Sequence, residues 1–245
     1  MKLIKDAFNT EIFQMTMGNL ILEKDTYSRE EIKTWVKEAK QKGYQHLAIK
    51  ILTEQKDLLN SLLQEQFYLV DTLIEYVFDA KKKVLPKIQH QCILRDCEKE
   101  DLPALKQIAR NSFKTDRFHS DMYLENELCN QYYEKWMENS YHGFAEKVIA
   151  AEYCGELVGF FTGKTYSDDK YGHLVLAAVS DKHRGIGVYT SMIHECIRWM
   201  LEAHTELEGV MTGTQIETVA VQKAWIKLGF TVHDSLYVLH RYLGE

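Results

Sequence analysis

The segment that most constrains the fold of this chain is a tight glycine turn between an apolar run and a helical pattern. The apolar run covers Leu174 to Val179, the turn reads Arg184-Gly185-Ile186-Gly187, and the helical pattern continues to about residue 201. Glycines at 185 and 187 remove side chains where a backbone must approach a ligand, and the free N–H groups of a first helical turn carry the positive end of the helix dipole. We therefore expect a strand, a turn and a helix start that bind an anion such as a pyrophosphate.

The turn differs from two common phosphate-binding motifs. It lacks the Gly-Lys-Ser/Thr of a Walker A loop, and Thr190 stands where the dinucleotide fingerprint G-x-G-x-x-G has its third glycine. It resembles instead the acetyl-CoA pyrophosphate loop of the GNAT acyltransferases, whose pattern is Gln/Arg-x-x-Gly-x-Gly/Ala. Arg184 and Gly187 match that pattern, and Tyr189 replaces its final small residue.

Further segments carry the same resemblance in the order that the family requires. Leu228-Gly229-Phe230 resembles the family's closing helix-to-strand turn. Leu94-Arg95, followed by Glu100-Asp101-Leu102 and an amphipathic helix, resembles its opening strand and first helix. The resemblance covers residues 90 to 242.

A narrower resemblance is to the dTDP-fucosamine (dTDP-4-amino-4,6-dideoxygalactose) N-acetyltransferase group. The residues that carry it are Ser112-Phe113, Arg117-Phe118-His119, Tyr123, Trp136 and Thr214-Gln215. An N-terminal segment of about ninety extra residues also fits that group.

Composition excludes several classes of protein. The formal net charge of −6 argues against a broad basic surface for nucleic acid, and Lys81-Lys82-Lys83 is too short a run to change that. No window approaches the roughly 18 apolar residues of a membrane span. Five scattered cysteines without a C-x-x-C pair are typical of a reducing compartment. We expect a cytoplasmic protein without nucleic-acid or membrane partners.

The order of strands and helices predicts a mixed α/β domain. The resemblance implies the GNAT fold, which is α/β (α+β) with a mixed, mostly antiparallel central sheet flanked by helices. We expect residues 90–245 to form the acetyltransferase domain and residues 1–85 a smaller α/β segment. Gln64-Glu65-Gln66-Phe67 resembles the family's helix-to-strand turn without its glycine, so the N-terminal segment is a candidate partial copy of the fold. The elements predicted are strands at 46–52, 67–77, 92–94, 144–153, 156–165, 173–179, 209–213 and 231–242, and helices after Ser28 and at 55–66, 99–112, 124–139, 187–203 and 218–228.

The resemblance implies a set of residues that bind acetyl-CoA. Backbone N–H groups of Gly185, Ile186, Gly187 and Val188 would face the pyrophosphate, with Arg184 framing the loop. The strand Leu176-Ala177-Ala178-Val179 would splay from its neighbour and pair with the pantetheine arm. Tyr189, Thr218 and Trp225 complete this set.

Catalytic residues are harder to assign because the chain departs from the family here. Trp225 stands where the family has its tyrosine general acid, and Thr218 where it often has an asparagine. An indole cannot protonate a thiolate as a phenol can. Tyr189 and Tyr237 are candidate replacements for the acid. His173 is a candidate general base because imidazole titrates near neutral pH, and Glu146 is a second.

The resemblance places the acceptor pocket in the loop between the first two helices of the acetyltransferase domain. Arg117 suits a diphosphate and Phe118 suits stacking, and Tyr123, Tyr166 and Gln215 join them as substrate-binding candidates. No His/Cys/Asp spacing indicates a zinc site, so no metal is expected. The N-terminal segment could cover this pocket or mediate a homodimer.

We predict acetyl transfer from acetyl-CoA to a primary amine, favouring a nucleotide-activated amino-deoxy sugar. Two alternatives stay open, namely another small amine (an amino acid or an antibiotic) and a catalytically degenerate protein that only binds CoA.

Overall fold

The computed structural model describes residues 1–24 and 26–244. Its strands are β1 (Lys2–Lys5), β2 (Met17–Ile21), β3 (His46–Leu52), β4 (Tyr68–Asp79), β5 (Ile93–Asp96), β6 (Lys147–Tyr153), β7 (Glu156–Lys164), β8 (Tyr171–Val179), β9 (Gly209–Gln215) and β10 (Thr231–Tyr242). Its helices are α1 (Ala7–Phe13), α2 (Arg29–Gln41), α3 (Lys56–Gln64), α4 (Leu102–Ser112), α5 (Asn126–Asn139), α6 (Val188–Ala203) and α7 (Val219–Lys227). Short 3-10 turns lie at Lys99–Asp101 and Asp181–His183, and a π turn at Ser140–Phe144.

The predicted fold class is confirmed, since strands and helices mix along the chain and most strand pairs are antiparallel. Strands β3 and β10 have the predicted bounds. Helix α2 begins with the expected capping box, in which Ser28 and Glu31 each bond the other's backbone. The first three elements, β1, α1 and β2, were not predicted.

Two compact units make up the chain, and each is assembled from separate segments. The first unit contains Met1–Ile74, Thr115–Cys129 and the segment from Asp234 onward, and the second contains Glu75–Lys114 and Asn130–His233. Strands β4 and β10 supply residues to both. The division of the sequence into domains at 1–85 and 90–245 stays a prediction.

The first unit orders its strands β1-β2-β3-β10. The pair β2–β3 is parallel, and the pairs β1–β2 and β3–β10 are antiparallel. Apolar side chains of α2 and α3 cover this sheet, because Ile32 and Leu62 are fully buried in one cluster with Leu47, Ile49 and Leu239.

The second unit orders its strands β9-β8-β7-β6-β5. All of these pairs are antiparallel except β8–β9, which is parallel. Helix α6 packs so closely on this sheet that a Cβ on Gly172 would lie 2.6 Å from Sδ of Met200. This contact holds the last turn of α6 against the beginning of β8.

Among the described residues, the longest helices are too short or too polar to serve as a membrane span.

Candidate active site

The predicted strand, glycine turn and helix start of the candidate anion cradle are present in the second unit. Strand β8 ends at Val179, and α6 begins at Val188 with Gly187 as its N-cap. Gly185 and Gly187 have φ angles of 82° and 90°, in the left-handed region that favours glycine. Gly187 provides no side chain to cap the helix, so the first-turn amides are left for another partner. A phosphate group is a suitable partner for such amides.

A neighbouring segment, which we did not predict, forms one wall of this cradle. The Gln91 amide donates to Oγ of Ser191 over 3.0 Å, and that hydroxyl donates to the Gly187 carbonyl over 3.0 Å. A Cβ at Gly187 would lie 2.9 Å from Cγ of Gln91. Glycine is therefore required at 187 by space as well as by φ. The residues before β5 carry no motif, so sequence reasoning had no signal for Gln91.

Arg184 lies at the exposed rim of the cradle. Its guanidinium pairs with Asp181 at 2.7 Å and reaches the Ser112 carbonyl at 3.5 Å. The contact with Asp181 ties the two ends of the turn together. Most of the guanidinium stays open to solvent.

Strand β8 is bonded along one edge and open along much of the other. Its ladder with β7 extends to Val179 and contains a bulge, because Thr162 pairs with Leu176 and Gly163 with Leu174. Its parallel ladder with β9 ends at the pair His173–Met211, although β8 continues for six more residues. Among the described residues, the Leu174 carbonyl accepts from the Thr212 hydroxyl over 3.5 Å in place of a ladder bond. An extended ligand could pair with backbone groups of β8 beyond this point.

Trp225 is a core residue of the second unit and is only 2% exposed. Its ring lies 5.3 Å from Tyr76 and 6.2 Å from Phe230. Its indole Nε1 is buried and makes no hydrogen bond of good geometry with any described residue. Trp225 is therefore a packing residue here, and its indole N–H is too weakly acidic to protonate a thiolate.

Tyr189 lies in the first turn of α6, and its hydroxyl interacts with the Trp225 indole. Burial raises the pKa of Tyr189, and the contact with the indole lowers it by less. A phenol with a raised pKa stays protonated near neutral pH, as a proton donor must.

Thr218 and Gln215 lie together in the turn before α7. The Thr218 hydroxyl contacts that of Thr214 at 2.6 Å and donates to the Gln215 carbonyl over 2.7 Å. Gln222 donates to the same carbonyl over 3.2 Å. These bonds shape the turn, so the hydroxyl of Thr218 is already occupied.

His173 has a carboxylate partner that we did not predict. Its Nε2 lies 2.7 Å from Oδ2 of Asp169, and Tyr166 places its ring edge-on to the imidazole at 5.1 Å. Burial acts to raise the pKa of Asp169, but the bonds from His173 and from backbone amides outweigh it and hold the pKa below its usual value. Glu146, the second base candidate, pairs with His204 at 2.6 Å and accepts from Thr165.

The remaining candidates lie in the first unit. Phe118 is buried beside Phe13, and the Arg117 guanidinium lies 4.5 Å from the Phe118 ring centre. Tyr123 is 47% exposed. Its ring stacks on Tyr242 with centres 4.5 Å apart. The Tyr237 hydroxyl accepts from Lys56 over 2.8 Å.

A buried polar network holds the Arg117–Tyr123 loop in the first unit. Oδ2 of Asp121 lies 2.9 Å from Nε2 of His46 and 2.7 Å from Nδ1 of His240. Tyr68 donates its hydroxyl to the same carboxylate over 3.0 Å, and the Tyr123 amide does so over 2.9 Å. These residues are far apart in sequence, so no spacing rule could have found them.

Burial shifts the titration of this network. It lowers the pKa of His240 to about 4, although Asp121 opposes the shift. It raises the pKa of Tyr68, with Asp121 adding to the effect. Burial alone would raise the pKa of Asp121. Hydrogen bonds from His240, His46 and Tyr123 outweigh that effect and hold the pKa well below its usual value.

The same three side chains, His46, Asp121 and His240, bring their ligand atoms within 4.8 Å of one another, which invites comparison with a metal site. Metal-bound histidines donate their outer N–H to a second partner. Here the outer nitrogens, Nδ1 of His46 and Nε2 of His240, have no partner among the described residues. A bound ion would make both into unpaired buried donors, so a hydrogen-bonded network is the better fit.

Comparisons with known proteins show what this chain is similar to. A family model described as Acetyltransferase (GNAT) family matches residues 102–230. Spore coat polysaccharide biosynthesis protein SpsD of Bacillus subtilis (strain 168) is 28% identical over 149 residues, which are 60% of this chain and 50% of that protein. This chain therefore spans half the length of that relative.

Solved structures with the same fold are found at low sequence identity. A GCN5-related N-acetyltransferase from Sphaerobacter thermophilus has a TM-score of 0.68 at 11% identity, over 99% of this chain and 77% of that chain. A tandem GNAT protein from the clavulanic acid biosynthesis pathway has a TM-score of 0.64 at 13% identity, over 94% of this chain and 76% of that chain. These likenesses show the fold alone.

The family model covers more than half of the chain, and the cradle and the one-sided strand lie within it. The chain therefore belongs to the GNAT acetyltransferase family.

Proposed function

We propose that this chain transfers the acetyl group of acetyl-CoA to the primary amine of a nucleotide-activated amino-deoxy sugar. The observation that carries the proposal is the uncapped start of α6 next to the open edge of β8. The amides of residues 185–188 would bind the pyrophosphate, and Leu176–Val179 would pair with the pantetheine arm. Both are backbone interactions, so they require the conformation that Gly185 and Gly187 provide.

His173 is our candidate general base. It forms the last ladder pair with Met211, so it lies where β8 and β9 begin to separate. An acceptor amine placed there would lose a proton from its nitrogen to the imidazole as the C–N bond to the thioester carbonyl forms. Backbone N–H groups of the splayed strand would stabilise the oxyanion.

Tyr189 is our candidate general acid. As the C–S bond breaks, the sulfur keeps the electron pair and takes the phenolic proton, which yields the amide and CoA thiol. Tyr189 is preferred to Tyr237 because it lies on the first turn of α6, directly after the cradle. Trp225 would form a wall of the thioester pocket. Positioning of the two substrates can supply much of the rate, so the absence of a tyrosine at 225 would not abolish acetyl transfer.

The acceptor class rests on the relative and on the aromatic loop. SpsD is named for polysaccharide biosynthesis, which supports a sugar substrate here. Exposed Tyr123 offers a ring for stacking, and Arg117 offers a bidentate donor for a diphosphate. Tyr166 and Gln215 are proposed as further contacts. The finer assignment to a dTDP-fucosamine-type acceptor rests on the sequence motif.

We also propose that residues 1–85 derive from a partial copy of the acetyltransferase domain at 90–245. The likeness to a tandem GNAT protein over 94% of this chain supports the idea. A homodimer through this segment and a cytoplasmic location remain proposals, the latter supported by five free cysteines.

A second candidate function is CoA binding without catalysis. The burial of Trp225 at the family's acid position favours it, because an indole cannot replace the phenol. Turnover with acetyl-CoA and an amine separates this candidate from the first.

The experiment is a thermal-shift titration with CoA and acetyl-CoA, followed by turnover with dTDP- and UDP-linked amino sugars. A ligand of the native state raises the melting temperature by mass action. A shift with acetyl-CoA and release of CoA thiol with one sugar nucleotide would support the first candidate. A shift without turnover would favour the second. No shift near 1 mM CoA, which is about the upper end of the usual range of KM values, would contradict both.

A further inference from the structure

We infer that Asp169 is a positioning residue that holds His173 in the tautomer a general base needs. This inference rests on the proposed function. Oδ2 of Asp169 lies 2.7 Å from Nε2 of His173, and its other oxygen, Oδ1, accepts from the Tyr171 amide over 2.9 Å. The carboxylate is thus fixed at both oxygens, one by backbone and one by the imidazole.

The geometry decides which ring nitrogen carries the proton. An ionised carboxylate only accepts hydrogen bonds, so Nε2 of neutral His173 must be the donor. Its Nδ1 then keeps a lone pair, and this is the atom that would take the amine proton. The arrangement follows the general pattern in which a base is oriented by a third group.

Other groups around the imidazole do not replace Asp169. Lys164 stands opposite His173 in the β7–β8 register, but its ammonium lies over the rings of Phe144 and Tyr166, at 4.1 and 5.2 Å. The Tyr166 ring lies edge-on to the imidazole, so this contact is between rings and does not replace the carboxylate. Asp169 is the one carboxylate that we find bonded to His173 among the described residues.

Replacement by asparagine makes a sharp test because the Tyr171 amide should select the orientation of the new side chain. The asparagine oxygen would stay with the Tyr171 N–H, which leaves its NH₂ group facing His173. Nε2 must then accept, so the proton moves to Nδ1 and the base loses its lone pair there. The local turn keeps its backbone bond, and the variant should fold.

The tautomer is measured by ¹⁵N NMR of histidine-labelled full-length protein, without acetyl-CoA, with His173→Gln to assign the signal. We expect Nε2–H in the native chain and Nδ1–H in Asp169→Asn. Turnover is measured with acetyl-CoA and dTDP- or UDP-linked amino sugars. We expect kcat/KM to fall at least a hundredfold in the variant, with unchanged affinity for CoA.

Asp168→Asn is the matched control, because it makes the same chemical change at the adjacent exposed position. It should leave both the tautomer and the rate unchanged. An Nδ1–H ring in the native chain overturns the inference, as does an Asp169→Asn variant with native tautomer or native kcat/KM. If the native protein has the Nε2–H tautomer but transfers no acetyl group, the proposed function is overturned instead. The Asp169–His173 pair would then have no catalytic role.

Discussion

Gln66 and Gly229 occupy the same left-handed position at two equivalent helix ends, with φ angles of 62° and 98°. After α3 the Phe67 amide donates to the Leu62 carbonyl, and after α7 the Phe230 amide donates to the Trp225 carbonyl, each over 3.0 Å. Both ends are Schellman-type turns that lead into a long strand. Only the turn after α7 has the glycine that this geometry favours. The turn after α3 adopts the same geometry with Gln66, whose backbone is therefore strained.

That strain predicts that Gln66→Gly will stabilise the protein. A non-glycine residue in the left-handed region costs about 1–2 kcal/mol, which the substitution should recover, less about 0.4–1 kcal/mol for the greater entropy of the unfolded glycine chain. The free energy of unfolding from denaturant titration measures this. Gln64→Gly, at the last residue of α3, should destabilise instead, because glycine is unfavourable inside a helix. A destabilised Gln66→Gly would show that the turn is not under strain.

Charge at the cradle should control CoA affinity. Gly187 is a poor site for this test, because any side chain there meets both an unfavourable φ and Gln91. Ile186 is 40% exposed between the two glycines and can be replaced without such conflicts. Ile186→Glu should weaken CoA binding at least about tenfold, or 1.4 kcal/mol, by repulsion of the pyrophosphate. Ile186→Gln has the same shape without charge, and equal calorimetric affinities for the two variants would contradict the cradle.

Removing the Tyr189 hydroxyl should slow the chemical step. Tyr189→Phe keeps the ring and deletes the phenolic proton, so we expect kcat to fall by about 100-fold or more. CoA affinity should remain the same. Tyr237→Phe is the comparison, since its hydroxyl is bonded to Lys56 in the first unit. If kcat fell only in Tyr237→Phe, the acid would be Tyr237.

Acid should destabilise the protein through His240. Its pKa is lowered from 6.5 to about 4 in the folded chain, chiefly by burial. Between these values the unfolded chain binds more protons, so the free energy of unfolding falls as pH drops from 6.5 towards 4, by on the order of 3 kcal/mol. His240→Asn can still donate to Asp121 but cannot titrate there, and it should flatten this slope. The exposed His233→Asn variant should keep the native slope in the same denaturant titrations.

Local signals explain which parts of the fold were predictable. The capping box at Ser28 and the glycine turn at 185–187 each depend on residues adjacent in sequence. In the first 27 residues the Asp6 N-cap of α1 is a local signal of this kind. By contrast, β1 and β2 are defined by their pairing with each other and with β3. That pairing is set by the tertiary structure.

The candidate active site was likewise predictable only where its signals are local in sequence. The cradle could be placed from its motif, whereas the partners of its residues could not. Asp169 is found only because the turn before β8 folds back on His173, and Asp121 only because β3 and β10 bring His46 and His240 to the same loop. Trp225 was recognised as a departure from the family, but its burial and its contact with Tyr189 depend on packing.

The one-sided ladder of β8 has a consequence for solvent exchange. Backbone amides on the edge that β9 leaves free should exchange with deuterium quickly, while those bonded to β7 should be protected. A pantetheine arm bound along this edge would act as the missing strand and slow the exchange of the first group alone. The sheet of the second unit would then be completed by its substrate, and each catalytic cycle would open and close a ladder of hydrogen bonds between protein and a molecule that is not a protein.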